Sequence, residues 1–387
     1  MATNYNASIV RSSLVMYYDM NNTQKSWLGA PTTNLTPNLG IVAIASSHTI
    51  TYVGVENGWK KYSIDGTWTS GTYPYSIGVD SVTFTGGVTY TTGIYIKTNV
   101  PTKFAALFTG MNYVNQPMNN AGTSFSITQS DGSIFVGRSG FQYTSTTVQT
   151  GYLVSQPVVS QVFNGATDFI YIKQGQIEVG SFATPFVAGT RSNTQAIVDL
   201  AGNNTLTATS LTYNSDNTFS FNGTSDYIAC GNLGTFYPQG TVSFWMNSAA
   251  IASYPNPFAT HFQGGNAGFR FEGRSDGNFT MVVGNDAGTY TAHTFISSGM
   301  QANTWYNITF VWNVPSNNVV GYLNGVQVFN ESQTYWATTM PGVTIGNGFS
   351  SSRYWNGKIS ATQIYNRSLS ATEVAQNFNA LRGRYGI

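Results

Sequence analysis

The sequence predicts an all-β protein of two antiparallel β-sandwich (jelly-roll) modules, with one short C-terminal α-helix at about residues 371–382. Three observations predict this fold. Apolar and polar residues alternate with a period of two along most of the 387 residues. Turn-forming pairs such as Asn-Gly and Asp-Gly separate the alternating segments. Neither half shows strands alternating with helices, which excludes parallel α/β folds.

The amino-acid composition argues against two kinds of binding partner, nucleic acid and membranes. Charged residues make up 8% of the chain, and the formal net charge is +1. This balance gives no electrostatic basis for binding nucleic acid or a membrane surface, so neither is an expected partner. Apolar residues at 41% and aromatic residues at 14% suffice to build cores. No segment approaches the ~18 apolar residues of a membrane span, and the N-terminus lacks the pattern of a signal peptide.

The strands are clearest in the C-terminal half. Residues 305–314, "WYNITFVWNV", place Tyr306, Ile308, Phe310 and Trp312 on one face. The pair Asn324-Gly325 predicts a tight hairpin, because both residues tolerate positive φ. A second hairpin is predicted in "GFRFEGRSDGNFTMVVGN", with Asp276-Gly277 at its bend. Trp245, Trp305, Trp312 and the single cysteine, Cys230, are expected in cores.

The predicted helix has defined ends. Ser370 and Glu373 form a capping box, in which the serine hydroxyl and the glutamate each satisfy a backbone amide. Val374, Phe378 and Leu381 fall on one apolar stripe. Gly383 is expected to end the helix.

The segment "WNGKISATQIYNRSLSATEV" resembles the closing motif of laminin-G-like, concanavalin A-like jelly rolls. The segments "FSFNGTSDYIACGN", "GTVSFWMN", "NTWYNITFVWN" and "GYLNGVQVF" resemble other strands of that family, in the same order. The family's first strand and the loop after it resemble two distant segments, "SLVMYYDMNNTQKSW" at 13–27 and "AIVDLAGNNTL" at 196–206.

This separation predicts a discontinuous domain. Residues 1–27 would form an N-terminal arm and the first strand, 28–190 an inserted module, and 191–387 the rest of the laminin-G-like domain. Inserting a module disturbs the host domain little where the two termini of that module lie close together. The alternative is that residues 13–27 form a separate leader strand or arm.

The inserted module resembles the carbohydrate-binding-module-like sandwiches of tailed-bacteriophage structural proteins. The resemblance lies in "APTTNLTPN", "GGVTYTTGIYIKTNV" and "IKQGQIEVGSFATPFVAGTRS". It implies a virion protein made in the host cytoplasm and present as a homo-oligomer or in many copies. The implied partners are the major capsid protein or other virion proteins, with weak adhesion to host or environmental glycans.

The resulting hypothesis is a non-enzymatic capsid decoration or accessory protein. One alternative is a tail or receptor-binding fibre lectin that recognises host surface polysaccharide, and a further alternative is a polysaccharide depolymerase. A glucanase on this fold needs two carboxylates on one strand. The nearest pair, Glu272 and Asp276, spans a predicted bend and is interpreted as a solvated turn. His48, His261 and His293 show no metal-binding or catalytic spacing.

Two kinds of binding residue are predicted. Loop aromatic rings can pack on the apolar faces of sugars. The candidates for such contacts are Trp68, Tyr73, Tyr75, Tyr335, Trp336, Tyr354 and Trp355. Related jelly rolls imply calcium as the one cofactor to consider, with Asp226 and Asp286 as carboxylate ligands. The alternative for each ring is that it packs against its own sandwich or a neighbouring subunit. The alternative for Asp226 is that it accepts hydrogen bonds from backbone amides.

Overall fold

The computed structural model describes residues 8–22, 25–28, 32–35, 40–43, 48–67, 77–106, 108, 111–112, 118–153, 156–157, 160–181, 183–184, 186–202, 204–213, 219–232, 237–251, 254–260, 267–340, 342–348 and 352–387. The chain divides into two compact units. Unit 1 comprises Met1–Pro31 with Ser192–Ile387, and unit 2 comprises Thr32–Arg191. No helix in the described chain is long and apolar enough to cross a membrane.

The described residues are almost entirely strands. The first seventeen, in chain order, are β1 (Leu14–Tyr18), β2 (Thr32–Thr33), β3 (Ile41–Ala43), β4 (His48–Glu56), β5 (Trp59–Thr67), β6 (Ile77–Phe84), β7 (Thr89–Thr98), β8 (Phe104–Ala106), β9 (Met111–Asn112), β10 (Met118–Asn120), β11 (Thr123–Thr128), β12 (Ile134–Tyr143), β13 (Thr147–Leu153), β14 (Gln156–Pro157), β15 (Val162–Phe163), β16 (Phe169–Val179) and β17 (Thr190–Arg191).

The remaining strands belong to unit 1. They are β18 (Thr207–Thr209), β19 (Thr212–Tyr213), β20 (Phe219–Asn222), β21 (Tyr227–Ala229), β22 (Gln239–Ser248), β23 (Phe258–Ala259), β24 (Gly268–Gly273), β25 (Phe279–Gly284), β26 (Tyr290–Ile296), β27 (Trp305–Asn313), β28 (Asn318–Leu323), β29 (Val326–Ser332), β30 (Thr344–Ile345) and β31 (Asn356–Tyr365). One α-helix follows, α1 (Ala371–Leu381).

Unit 1 is a sandwich of two antiparallel sheets. One sheet has the order β19-β20-β31-β22-β27-β28-β29, with β1 beside β31, and the other has the order β18-β21-β30-β23-β24-β25-β26. A core rich in rings fills the space between them, and Ile308, Phe310 and Trp312 enter it as the alternation predicts. The predicted all-β jelly-roll fold is therefore confirmed.

The first strand of the chain pairs with the last strand. β1 runs antiparallel to β31, with Tyr17 opposite Gln363 and Tyr18 opposite Thr362. The Tyr18 hydroxyl donates to the Ile359 carbonyl over 2.6 Å. Since the side chain of Tyr18 is fully buried, this hydrogen bond lies in the core of unit 1.

The two distant segments of the predicted motif lie together. Trp27 forms an isolated β-bridge with Ile197. The Tyr17 amide donates to Asp199 Oδ1 over 2.8 Å, and the Leu200 amide donates to the Tyr17 carbonyl. The described residues of 13–27 therefore contact the segment at 197–200 within unit 1.

Helix α1 begins as predicted. The Ser370 hydroxyl accepts from the Glu373 amide, and the Glu373 carboxylate accepts from the Ser370 amide. Hydrogen bonds from Arg367, together with those from Ser370, lower the pKa of Glu373 to about 2. The buried Asn377 ties the helix to the N-terminal segment by accepting from the Val10 amide over 2.8 Å.

The α-helix ends at Leu381, one residue before the predicted limit at 382. A 3-10 turn, Arg382–Arg384, follows it and contains Gly383. Arg384 Nη1, in this turn, lies 2.6 Å from Asp19 Oδ2. This ion pair joins the C-terminal turn to the segment that follows β1.

Unit 2 has its own sheets and core. An eight-stranded sheet has the order β10-β12-β7-β16-β5-β15, with β11 beside β12 and β4 beside β5. A four-stranded sheet has the order β3-β6-β13-β9. Nineteen buried side chains of the described part of the unit form one cluster, which includes Phe84, Ile94, Phe141 and Ile172.

The two ends of unit 2 are joined. β2 pairs with β17, with Thr33 opposite Thr190. The closing segment adds a hydrogen-bonded network, in which Glu178 Oε1 accepts from the Thr184 amide over 2.7 Å and from Gln176 Nε2 over 2.8 Å. These hydrogen bonds lie within "IKQGQIEVGSFATPFVAGTRS", the segment that resembles phage structural proteins. The segment therefore helps to stabilise the end of unit 2.

Candidate functional site

The outer side of β24 carries an unusual set of charges. Phe269 and Phe271 point into the core of unit 1. Because side chains alternate along a strand, Arg270 and Glu272 point to the other side of the sheet. Glu272 is only 2% exposed there, so its carboxylate needs partners to offset the cost of burial.

Three guanidinium groups supply those partners. Arg270 Nε lies 3.1 Å and Arg353 Nη1 lies 3.0 Å from Glu272 Oε2. Arg274 Nη2 lies 2.8 Å from Glu272 Oε1. Three positive groups thus surround one negative group, and these four described side chains carry a formal charge of +2.

Burial and charge act in opposite directions on Arg270. Burial lowers the pKa of its guanidinium, and the neighbouring Glu272 carboxylate opposes that shift. Arg274 and Arg353 reach further toward the surface, with side chains 33% and 21% exposed. These two guanidiniums therefore lie nearer the solvent than Arg270.

An exposed ring lies beside the outer two arginines. The Tyr254 ring centroid is 4.8 Å from Arg353 Cζ and 5.3 Å from Arg274 Cζ. Its side chain is 41% exposed. Such distances allow cation–π attraction, so the ring and the two guanidiniums support one another at the surface.

The backbone holds Tyr254 in a conformation that non-glycine residues rarely adopt. Its φ is 66°, in the left-handed region. The Tyr254 amide donates to the Gly273 carbonyl over 2.8 Å, and the Gly273 amide donates to the Pro255 carbonyl over 3.2 Å. The side chain of Asn256 adds a hydrogen bond to the Phe271 carbonyl. These bonds fix the loop against the end of β24.

We call Tyr254, Arg270, Glu272, Arg274 and Arg353 the arginine–tyrosine site. Guanidinium groups recognise carboxylates and sulfates through paired N–H donors. A tyrosine ring offers an apolar face and a polar hydroxyl. The site therefore has the groups needed to bind an anionic ligand that also has an apolar face.

The same geometry argues against acid–base chemistry at Glu272. Both of its oxygens accept from guanidiniums, whereas a glycosidase needs a pair of carboxylates flanking the bond to be cleaved. Asp276 accepts from the Asn278 amide and side chain in the turn after β24. The interpretation of both acids as a solvated turn is wrong for Glu272, which is buried.

The predicted sugar-binding rings have different surroundings. Trp68, Tyr73 and Tyr75 lie outside the described residues. Tyr335 is exposed, whereas Trp336 is half-buried and packs against the core of unit 1. These five predictions are not tested by the structure.

The segment at 352–357 gives one correction. Trp355 is fully buried in the core of unit 1, so its ring has no face for a sugar and its prediction as a binding residue is wrong. Its amide and carbonyl bond to Gly346 and Gly223. Tyr354 is half-buried, with its ring 6.5 Å from the ring of Tyr227, and it directly follows Arg353.

The predicted calcium ligands have other partners. Asp226 is buried and accepts from the Asn222 amide and the Ser225 hydroxyl; burial raises its pKa, and these two bonds oppose that shift. Asp286 accepts from Thr338. Calcium takes six to eight oxygen ligands, and within the described ranges no three His, Cys, Asp or Glu side chains gather to hold a metal. Calcium binding stays a prediction from the resemblance.

Sequence reasoning missed the arginines and Tyr254. One signal was present, since the alternation that sends Phe269 and Phe271 inward sends Arg270 and Glu272 outward. The chain has few charges, so two arginines within five residues are conspicuous. The third arginine is 81 residues from Glu272 along the chain, and only the folded sheet brings it close.

The comparisons with known proteins identify the larger fold. Residues 222–375 match the family model described as "Concanavalin A-like lectin/glucanases superfamily", of the third laminin G type. The matched residues lie in unit 1, and the laminin-G-like resemblance stated from the sequence is confirmed for them. No curated protein matches the chain.

Several of the solved structures that match are binding domains of toxins. The receptor binding domain of the botulinum neurotoxin C/D mosaic serotype matches with 17% identity and a TM-score of 0.40, over 48% of this chain and 49% of that chain. The serotype D ligand binding domain, in complex with N-acetylneuraminic acid, has the same identity and TM-score, with 49% of each chain covered.

The binding domain of Paraclostridial Mosquitocidal Protein 1 is a further match. It has 19% identity and a TM-score of 0.39, over 48% of this chain and 49% of that chain. The chain thus spans about half the length of these structures, and at such scores the likeness carries no argument about ligands.

Removing the negative charge of Glu272 should destabilise the protein. Glu272→Gln keeps the shape of the side chain but leaves three guanidiniums without their shared carboxylate. Breaking a buried ion-pair network typically costs about 3 kcal/mol, and we expect a loss of this size in the free energy of unfolding measured with denaturant.

Asp276→Asn is the matched control. Asp276 lies four residues away in an exposed turn, and its replacement is expected to cost less than about 0.5 kcal/mol. Equal losses for the two variants would show that Glu272 does not hold the arginines together.

Proposed function

We propose that the protein is a non-enzymatic adhesion protein whose laminin-G-like domain binds acidic glycans at the arginine–tyrosine site. The observation that carries this proposal is the exposed ring of Tyr254 beside the Arg274 and Arg353 guanidiniums, above the buried Glu272. The lectin-type fold of the domain supports a glycan as the ligand.

The preference for an acidic glycan follows from charge. The whole chain has a formal charge of +1, so it has no general attraction for anions. The arginine–tyrosine site concentrates a formal charge of +2 at one place. A carboxylate or sulfate on a sugar can bind the guanidiniums while the apolar face of the sugar packs on Tyr254.

The proposal of a non-enzymatic role rests on Glu272. A hydrolytic mechanism would require its carboxylate to donate or accept a proton. Three charge-assisted hydrogen bonds already occupy its two oxygens. Binding is therefore the function that this geometry supports best.

The sequence motifs of unit 2 support a further proposal, that the protein is part of a virion. Because these motifs resemble those of tailed-bacteriophage structural proteins, the protein would be a capsid decoration or accessory protein that is attached in many copies. Many copies would convert weak glycan binding into strong adhesion. Quantitative proteomics of purified particles tests this: many copies cross-linked to the major capsid protein support decoration, and a handful of copies support the tail-fibre alternative.

A glycan array tests the binding proposal. The unaltered protein should bind sialylated, uronate-bearing or sulfated glycans and ignore their neutral counterparts. Tyr254→Ala and Arg274→Ala should each weaken this binding about 10-fold, because Tyr and Arg contacts are commonly worth more than 1 kcal/mol at binding sites.

Val326→Ala serves as the matched control. It shortens an exposed apolar side chain of the same unit that belongs to neither candidate set, and it should leave binding unchanged. Equal binding of neutral and acidic glycans, or full binding by both site variants, would contradict the proposal. Release of reducing ends from any bound polysaccharide would contradict the non-enzymatic role.

A further inference from the structure

The outer side of the large sheet in unit 2 alternates aromatic rings with lysines. Ile94, Ile96, Ile170 and Ile172 enter the core of the unit. Their neighbours on the same strands therefore point away from it. Across β5, β16, β7, β12 and β11 these outward residues are Trp59, Lys61, Phe169, Tyr171, Lys173, Tyr95, Lys97, Phe135 and Phe125, which we call the lysine–ring face.

The strand register sets each lysine beside a ring. Tyr171 lies opposite Lys61 on one side and opposite Lys97 on the other. Tyr95 lies opposite Lys173 on one side and opposite Phe135 on the other. Cations and rings thus alternate both along and across the strands.

Trp59 holds two ammonium groups close to each other. Lys173 Nζ lies 4.2 Å and Lys97 Nζ lies 4.4 Å from its ring centroid. Since these distances sum to 8.6 Å, the two Nζ atoms are no further apart than that. Trp59 is only 6% exposed beneath them. Cation–π attraction to the indole offsets the mutual repulsion of the two charges.

These two ammonium groups differ from their neighbour on the face. Lys61 is paired with Glu56 over 2.8 Å and lies 3.9 Å from the Phe169 ring centroid. In the part of the chain that the structure describes, neither Lys97 nor Lys173 has a carboxylate within ion-pair distance. Asp131 senses both of them: its pKa is lowered first by hydrogen bonds from Ser133 and then by Lys173 and Lys97.

Glycines let the rings beyond the lysines extend over the neighbouring strands. A Cβ on Gly93 would lie 2.6 Å from Phe135 Cζ, and a Cβ on Gly137 would lie 2.5 Å from Phe125 Cζ. The two phenylalanine rings therefore occupy the space above glycine backbone. Their centroids are 5.2 Å apart, and Tyr95 lies 4.7 Å from Phe135. The result is an apolar platform beside the paired ammonium groups.

Two open depressions lie next to these lysines. One, of about 290 Å³, is lined by Lys97, Tyr171 and Glu56, whose carboxylate pairs with Lys61. The other, of about 260 Å³, is lined by Lys173 and Phe186. Both are smaller than the roughly 300–1,000 Å³ of enclosed small-molecule sites. This shape suits an extended chain lying across the face better than a small molecule enclosed in a pocket.

We propose that the lysine–ring face binds a carboxylate-bearing polysaccharide. Sugar rings would pack on Phe125, Phe135 and Tyr95, and carboxylates would bind Lys97 and Lys173. This is a second site, on a second unit, and it does not depend on the function proposed for the arginine–tyrosine site.

Charge density favours a polysaccharide over single-stranded nucleic acid. A nucleic acid carries a phosphate on every nucleotide and binds in strongly positive grooves. On the lysine–ring face, Glu56 pairs with Lys61, and Asp131 lies near the other two lysines. The remaining surplus charge matches a polymer on which only some sugars are charged.

Polygalacturonate and its methyl-esterified form test the proposal, because they share one backbone and differ in free carboxylates. The parent for the measurement is Tyr254→Ala/Arg274→Ala, so that the arginine–tyrosine site does not contribute. This protein should bind polygalacturonate in calorimetry and bind the ester at least 10-fold more weakly. Adding Lys97→Gln/Lys173→Gln should weaken binding to polygalacturonate at least 10-fold.

Two matched variants complete the design. Arg11→Gln/Lys25→Gln removes the same charge from exposed positions of unit 1 and should leave binding unchanged. Lys97→Arg/Lys173→Arg keeps the charge and should retain binding, which separates a charge effect from misfolding. Unchanged binding by the glutamine variant would overturn the proposal, as would equal binding of acid and ester. Tighter, lysine-dependent binding of a 20-nucleotide single-stranded DNA would assign the face to nucleic acid instead.

Discussion

The hydrogen-bonded pairing of β1 with β31 is the constraint on which the rest of unit 1 depends. It joins segments that are more than 340 residues apart, since the Tyr18 hydroxyl reaches the Ile359 carbonyl with a separation of 341 residues. The Arg384–Asp19 ion pair and the Asn377–Val10 hydrogen bond add contacts between the same two ends. Fixing such distant segments costs closure entropy, which burial of Met16, Tyr18 and their neighbours in the core must offset.

Unit 2 has a closure of its own. β2 and β17 bring its two ends together, as a module with adjacent termini requires. Each unit has a separate core, and each presents charged and aromatic groups on a sheet face. The two candidate sites use the same chemistry, in which cations beside rings form a local anion-binding surface on a nearly neutral chain.

Local signals in the sequence predicted the local structure well. Asn324 and Gly325 adopt φ values of 50° and 76°, as the predicted hairpin turn requires. Trp312 and Cys230 are buried as expected, and burial raises the pKa of the Cys230 thiol. Trp305 is only half-buried, because it packs at the margin of the core against Tyr385. The helix begins at its predicted cap and ends within one residue of its predicted limit, whereas no local pattern reveals that Arg384 pairs with the distant Asp19.

The candidate sites were harder to predict because they depend on contacts between strands. Alternation in "FRFEGR" places Arg270 and Glu272 on one side, but nothing local indicates that Arg353 meets them. Alternation likewise places Tyr95 with Lys97 and Tyr171 with Lys173, but the arrangement over Trp59 follows from the register of three strands. Trp355 follows a loop-like segment in the sequence and is nevertheless buried, because it leads directly into the central strand β31.

The central claim is that the two ends of the chain complete one sandwich, which supports the arginine–tyrosine site. Hydrogen exchange measured by mass spectrometry on the intact protein tests it most directly. Peptides covering residues 14–18 and 356–365 should exchange together, with similar protection and the same response to denaturant, because paired strands open as one cooperative unit. Rapid exchange of residues 14–18 at the rate of an unpaired chain, with residues 356–365 still protected, would contradict the account.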